Sequence, residues 1–412
     1  MSEQMVQKKI IYIFERRHHY NYDDNMFFIR QFEQANYAVE VWSLVYWTFG
    51  KDIEEPLNVD TTGRGIYIAN KAEFDEQMER IKEDKCVFVC YPYHVYTNIS
   101  AYIRKKIVLS GFSFCNLCET PVFDGQIRGI EDYKILLLFM EELKYIAYYF
   151  KNKLKRKKIS YREHFYPLKY RSSYNLVCVE GNYKTFPNKL EIFSERNVMI
   201  HSDDYSRKVE KSNGFQWKKK YIVFIDQYIT GHSDFKKHGT SFPIANPEEY
   251  FKECNDFFTR LEREYACEVL IAAHPKAEYT GSEFGEREII YGKTMELISN
   301  AQLVLLMTST VYGMVCYYEK PLIIISSEQM VNGIMWKSLR RFSDFFGRNI
   351  LVMRQLTDTD HISDFVVNPS TKYKKLVNRL VISEKGIKDK KFYEVMLELF
   401  ENMFHDEVKY VK

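Results

Sequence analysis

Several signals that would place this chain in a specialised class are missing. No stretch reaches about 18 uncharged apolar residues, so no membrane-spanning helix is expected. The residues Met1–Lys9 are polar and run straight into the apolar Ile10–Phe14. They lack the roughly seven to fifteen apolar residues of a signal-peptide core, so a cytoplasmic setting is expected. Charge of one sign is missing too. With 59 basic and 56 acidic residues the formal net charge is +3, which argues against a dedicated nucleic-acid binder. Glycine (17) and proline (10) are scarce among 412 residues of which 46% are hydrophobic, which excludes fibrous repeats and wholesale disorder. Cys115 and Cys118 form a CxxC with no second pair, whereas a structural zinc site needs four ligands. The eight cysteines therefore read as reduced thiols, mostly in the core. What is plentiful is aromatic: Tyr 32 and Phe 30.

Short apolar runs alternate with longer helical patterns, which favours an α/β fold with parallel sheets. In the first half, strands are expected over Lys9–Phe14, Ala38–Leu44, Cys86–Cys90, Asn175–Glu180 and Asn197–His201, with helices over Asp24–Ala35 and Ile99–Leu109. Residues 206–220 turn polar and basic and read as a linker. The pattern then restarts, with strands over Tyr221–Asp226, Glu268–Ala273, Leu303–Met307 and Pro321–Ser326. Helices are expected over Pro247–Tyr265, Thr294–Asn300 and Val311–Glu319. The length is enough for two domains, expected at 1–205 and 221–386. A last helix in 387–412 is expected to pack back on the first of them.

A segment at about 131–170 breaks the rhythm. Ile135–Phe150 is followed by KNKLKRKK (Lys151–Lys158), six of whose eight residues are basic. It reads either as a buried helix with a solvated basic end or as an interfacial element on anionic lipid. The second reading makes residues 135–158 a candidate for peripheral membrane contact.

Chemistry concentrates between Glu268 and Pro321. His274 leaves a strand end in AAHPK, Pro275 sets the chain direction after it, and Lys276 adds a cation. About 20 residues on, Lys293 and Thr294 (YGKT) precede a helix, without the frame of a P-loop. Thr308, Ser309 and Thr310 then lie between a strand and a helix, where hydroxyls, a cap and backbone N–H groups suit a phosphate. Asp226, Gln227, Tyr228 and His232 leave the first strand of this half and would line the same rim. In the first half, FERRHHYNYDDN offers Asp23 and Asp24 as general-base candidates or plain helix caps, with Arg16, His18 and His19 beside them. Tyr20, Tyr22, Tyr91, Tyr93 and Tyr228 fall just past expected strand ends, where rings suit sugar and base stacking.

The order of these parts over Tyr221–Ser326, about a quarter of the chain, resembles the C-terminal half of bacterial surface-polysaccharide glycosyltransferases of GT-B architecture. That group includes sialyl-, polysialyl- and Kdo-transferases and, more distantly, teichoic-acid glycerophosphotransferases. The resemblance makes His274-Pro275 the HP motif and Ser309-Thr310 the Ser/Thr motif that hold the donor's phosphate. It implies two Rossmann-like domains facing across a cleft, the second holding a nucleotide-activated sugar and the first a capsule, lipopolysaccharide or lipid-linked glycan acceptor. A CMP-linked acidic sugar is the first expectation for the donor, with inversion at the transferred carbon. His274 is then the proton or hydrogen-bond donor to the leaving phosphate, Asp23 or Asp24 the base, and Arg16, His18, His19 and Tyr93 acceptor contacts. No resident cofactor and no metal are expected, since no DxD-like pair lies in the phosphate region. The polysialyltransferase-type motif of two acids and a glycine is not matched: Glu180-Gly181 has one acid, and Asp23-Asp24 precede Asn25. A CDP-polyol phosphotransferase, a nucleotide-sugar epimerase and a non-catalytic carbohydrate-binding subunit remain alternatives.

Overall fold

The computed structural model describes residues 8–19, 27–52, 63–91, 98–118, 172–178, 194–206, 217–232, 235, 241–382 and 390–405. They fall into two compact units. One draws on Met1–Thr120, Arg128–Asp203 and Ser383–Lys412, the other on Pro121–Ile127 and Asp204–Ile382.

In the first unit the strands are β1 (Lys8–Phe14), β2 (Ala38–Ser43), β3 (Gly65–Tyr67), β4 (Lys85–Tyr91), β5 (Ser113–Cys118), β6 (Ser172–Cys178) and β7 (Ser194–Ile200). They pair in parallel in the order β3-β2-β1-β4-β5-β6-β7. Apolar runs such as KIIYIF suit a parallel sheet because both of its faces are covered. Alternation along β1 divides the core: Ile10, Tyr12 and Phe14 serve one face, Ile11 and Ile13 the other. The helix Lys71–Arg80 opens on Asn70, whose side chain accepts from the N–H groups of Ala72 (2.9 Å) and Glu73 (3.1 Å).

The terminal helix Phe392–His405 covers the Tyr12 face, as expected from its sequence. Phe392 lies 5.4 Å from Phe28 and Phe400 lies 5.4 Å from Phe32, ring centre to ring centre. Lys8 donates to Glu401 at 2.5 Å and Tyr37 donates to the same carboxylate. These bonds tie the two ends of the first unit's chain together.

The second unit holds β8 (Tyr221–Ile225), β9 (Glu268–Ala272), β10 (Ile289–Ile290), β11 (Leu303–Leu306), β12 (Leu322–Ser326) and β13 (Leu351–Val352). Their order is β10-β9-β8-β11-β12-β13, again all parallel. The long helix Pro247–Tyr265 starts where Asn246 accepts from the Glu249 N–H at 3.2 Å, with Pro247 in its first turn. It ends at Ala266 in the left-handed region, φ 47°.

Some expectations need correction. A short strand, β13, follows those expected in the second half, and β3, β5 and β10 carry no strong sequence signal. The helix read over Val311–Glu319 spans Tyr312–Tyr317. The CxxC lies on β5, where Cys115 is buried. The 131–170 segment, most of the 206–220 linker, and Tyr20, Tyr22, Asp23, Asp24, Tyr93 and Glu180 lie outside the described residues.

Burial also sets the chemistry of the thiols. It pushes Cys86 and Cys90 up to about 12, and raises Cys254 and Cys316. The thiolate is the nucleophile, so these groups stay protonated and unreactive near neutral pH. Cys267, half-buried, is raised for the same reason but is more accessible. Iodoacetamide at pH 8 is expected to label Cys267 before Cys86, Cys90, Cys115, Cys254 or Cys316. Peptide mass mapping against time checks this, and equal rates would mean the core opens freely.

Candidate active site

In a parallel sheet of order 3-2-1-4-5-6 a ligand sits outside the carboxyl ends of the strands, where the winding reverses. In the second unit this point lies between β8 and β11. Four neighbouring strands deliver polar groups to that edge. Asp226 and Gln227 leave β8, His274 leaves β9, Thr308 leaves β11, and Ser327 leaves β12. From β9 to β11 is two strand spacings, about 10 Å, a span that fits a phosphate and its sugar or base.

Asp226 is buried, 4% exposed, and its two oxygens are both engaged. Oδ1 accepts from the Tyr228 N–H at 2.9 Å and Oδ2 from the His274 N–H at 3.2 Å. The Tyr279 hydroxyl donates to the same carboxyl. Burial pushes the carboxyl above its ordinary range, and these donors pull it partly back. Its contribution to stability is therefore full below the unfolded pKa and declines as pH rises through the native one. Burial, and then the charge of Asp226, raise the Tyr279 hydroxyl.

His274 is half-buried. Its Nδ1 accepts from the Lys276 N–H at 3.1 Å, and its carbonyl accepts from the Ala277 N–H at 2.9 Å. With Nδ1 used as an acceptor, the neutral imidazole carries its proton on Nε2. The His232 ring lies edge-on to it, 4.8 Å between centres. Tyr228 holds φ 49° and turns the chain so that the N–H groups of Gly231 (3.1 Å) and His232 (2.8 Å) both donate to its carbonyl. A Cβ at Gly231 would stand 2.6 Å from the Tyr228 hydroxyl oxygen, so any other residue there displaces that ring.

The β11 loop is joined to β8 by Gln227, whose Oε1 accepts from the Thr308 N–H at 2.9 Å and its hydroxyl at 3.4 Å. The Ser309 hydroxyl accepts weakly from the Val311 N–H at 3.4 Å. The helix is formally capped by Val311 with no side-chain bond. Ser309 is half-buried and Thr310 exposed. The Thr308 N–H is thus already taken, and the hydroxyls of Ser309 and Thr310 are the groups best placed for a ligand.

The other expected contacts are dispersed. Lys293 lies past the outer strand β10 and bonds Glu296 at 3.3 Å, and Thr294 opens its helix instead of capping it. In the first unit Arg16 is half-buried over the Phe49 ring, 5.4 Å away. His18 and His19 are fully buried, His18 between Tyr46 and Tyr67 and His19 beside Phe14. In this conformation those two rings serve the packing of the β1 end and present no surface to an acceptor. No cluster of three or more His, Cys, Asp or Glu able to hold a metal ion occurs among the described residues.

Two groups escaped the sequence reading. Tyr279 carries no motif signal, being simply the residue that reaches Asp226. Glu253, in the middle of the helix Pro247–Tyr265, is buried and braces the far side of the rim. It accepts from the Ser327 hydroxyl at 2.5 Å, the Glu328 N–H at 3.0 Å and the Arg354 N–H at 3.1 Å. A charged residue on the buried stripe of an amphipathic helix was the available clue.

No protein-family profile matches the sequence, and no curated protein matches it. Solved structures do. A variant of the wall teichoic acid polymerase TagF soaked with CDPG superposes with a TM-score of 0.52 at 10% identity, over 97% of this chain and 90% of that one. UDP-GlcNAc 2-epimerase from Methanocaldococcus jannaschii gives 0.43 at 12%, over 96% and 100%. The glycotransferase of kitacinnamycin gives 0.47 at 11%, over 96% and 98%. What this likeness shows is the fold. The chain is α/β with two parallel sheets, GT-B-like. No described helix is long and apolar enough to cross a membrane.

Proposed function

We propose that the protein is a glycosyltransferase that takes its sugar from a nucleotide-activated donor held at the β8–β11 edge of the second unit. The observation that carries the reading is His274 at the carboxyl end of β9, beside the winding reversal, its Nδ1 occupied by a backbone N–H so that the neutral ring carries its proton on Nε2. A leaving nucleotide phosphate gains negative charge as the glycosidic bond breaks. A hydrogen bond or proton from His274 Nε2 and hydrogen bonds from Ser309 and Thr310 would stabilise that charge where it develops. Lys276, two residues on, supplies a cation to the same loop.

Under this reading the acceptor is a bacterial surface glycan or a lipid-linked glycan, with Arg16 as its contact on the β1 loop and Asp23 or Asp24 as the base. A CMP-linked acidic sugar is the first donor to try. The test is hydrolysis and transfer across CMP-, UDP-, GDP- and CDP-linked compounds. Release of free sugar from one nucleotide class supports the reading. Release of polyol phosphate from a CDP donor would make it a polyol-phosphate transferase, and donor isomerisation without acceptor an epimerase. Absence of nucleotide binding by calorimetry in all four classes would remove the catalytic reading.

A further inference from the structure

Asp226 and Gln227 were expected to touch the donor, but their hydrogen bonds point elsewhere. We propose that they are a pair of positioning residues: from the end of β8, Asp226 holds the His274 loop and Gln227 holds the Thr308 loop. Together they set the separation of the two groups that meet the donor phosphate, a role that rests on the function proposed above. The arrangement follows from strand order, with both residues just past the end of β8. β8 has β9 on one flank and β11 on the other, so neighbouring residues at its end reach both neighbours. Asp226 Oδ2 accepts from His274 N–H at 3.2 Å, and Gln227 Oε1 accepts from Thr308 N–H at 2.9 Å.

The acceptor oxygens of both side chains are committed within the protein. Asp226 is 4% exposed and both its oxygens accept protein N–H groups. A carboxylate would in any case repel the phosphate. By accepting from its N–H, Asp226 holds the His274 backbone in the turn where Nδ1 meets the Lys276 N–H at 3.1 Å. The chain of effect runs from Asp226 through the loop to the tautomer of His274, and so to a proton at Nε2. Asparagine at 226 offers one acceptor oxygen and turns an N–H₂ toward a backbone N–H, leaving a donor unsatisfied.

The test uses the full-length protein labelled with ¹⁵N-histidine, with the His274 signals identified by their loss in His274→Gln. Long-range ¹H–¹⁵N correlation is expected to show one tautomer in the wild type, protonated at Nε2, and a mixture or a second tautomer in Asp226→Asn. An unchanged tautomer in folded Asp226→Asn overturns the proposal. Should that variant fail to fold, Asp226→Glu keeps both oxygens but moves them by one methylene, and carries the same comparison.

Kinetics add a second readout, with whichever CMP-, UDP-, GDP- or CDP-linked donor the wild type cleaves. Asp226→Asn and Gln227→Leu are each expected to lower kcat by about 10²-fold, the scale of an ångström's misplacement. KM should stay within about threefold, because no donor contact is removed. A tenfold rise in KM at unchanged kcat would make these residues donor ligands and overturn the proposal. If the wild type cleaves none of the donors, the functional reading fails, while the tautomer comparison still decides the positioning role.

Discussion

Replacing His274 by alanine is expected to lower turnover by about 10²-fold or more, the range for loss of a general acid. The ring is half-buried, and its Nδ1 is held by the Lys276 N–H. Alanine removes both the Nε2–H and the Nδ1 acceptor of the Lys276 N–H. The bond from the residue-274 N–H to Asp226 belongs to the backbone and survives the change, so the loop should keep its course. Thermal unfolding of the variant should stay close to wild type, which separates a chemical defect from a folding one. His274→Gln divides the two roles of the ring. A glutamine N–H can donate a hydrogen bond but cannot transfer a proton. Recovery in glutamine would favour hydrogen bonding, and equal loss in both variants would favour proton transfer. Near-normal activity of His274→Ala would remove this residue from the mechanism.

The largest expected effect on stability lies far from that loop, in the terminal helix. Phe400 is fully buried and sits 5.4 Å from Phe32, on the sheet face lined by Ile10, Tyr12 and Phe14. Phe400→Ala should destabilise the first unit by about 3–5 kcal/mol, from lost burial and the cavity left behind. Urea unfolding followed by tryptophan fluorescence measures it, since Trp42 and Trp47 report on this unit. Leu109→Ala serves as the control, because Leu109 is 64% exposed and should change stability by no more than about 0.5 kcal/mol. A loss under about 1 kcal/mol at Phe400 would mean that the helix undocks cheaply and that the sheet face does not depend on it.

The sequence was most informative where residues buried on both faces form unbroken apolar runs. β1, β4, β8 and β12 were legible for that reason. β5 was not, because Asn116 interrupts SFCNLC with a polar residue in mid-strand. Its burial is tolerated because Asn116 accepts from Arg104 at 3.0 Å and donates to Ser172 at 2.7 Å, partners that no local pattern announces. β3, β10 and β13 are only two or three residues long, held by pairing with a neighbour and not by a pattern of their own.

The candidate site divides the same way. The strand-end loops bearing His274, Thr308, Ser309 and Thr310 were visible in sequence, because turn residues and hydroxyls follow recognisable strands. The histidines of the β1 loop carried the same surface signal, yet the structure buries His18 and His19 among aromatic rings. Sequence shows that a residue follows a strand, but which way its side chain turns depends on what packs above it.

By itself, then, the sequence determined the α/β class, the restart of the pattern at Tyr221, the docking of the last helix and the order of the polar loops. These follow from periodicity and local chemistry, which a linear chain carries in full. Only the tertiary structure decided that β8 lies between β9 and β11 and that Asp226 is a buried acceptor for His274. It also decided that Gln227 is spent on Thr308 and that Glu253 braces the Ser327 loop. The last three are hydrogen bonds between residues 48, 81 and 74 positions apart. Strand order creates such bonds by bringing distant loops to one edge, and no pattern of neighbouring residues encodes them.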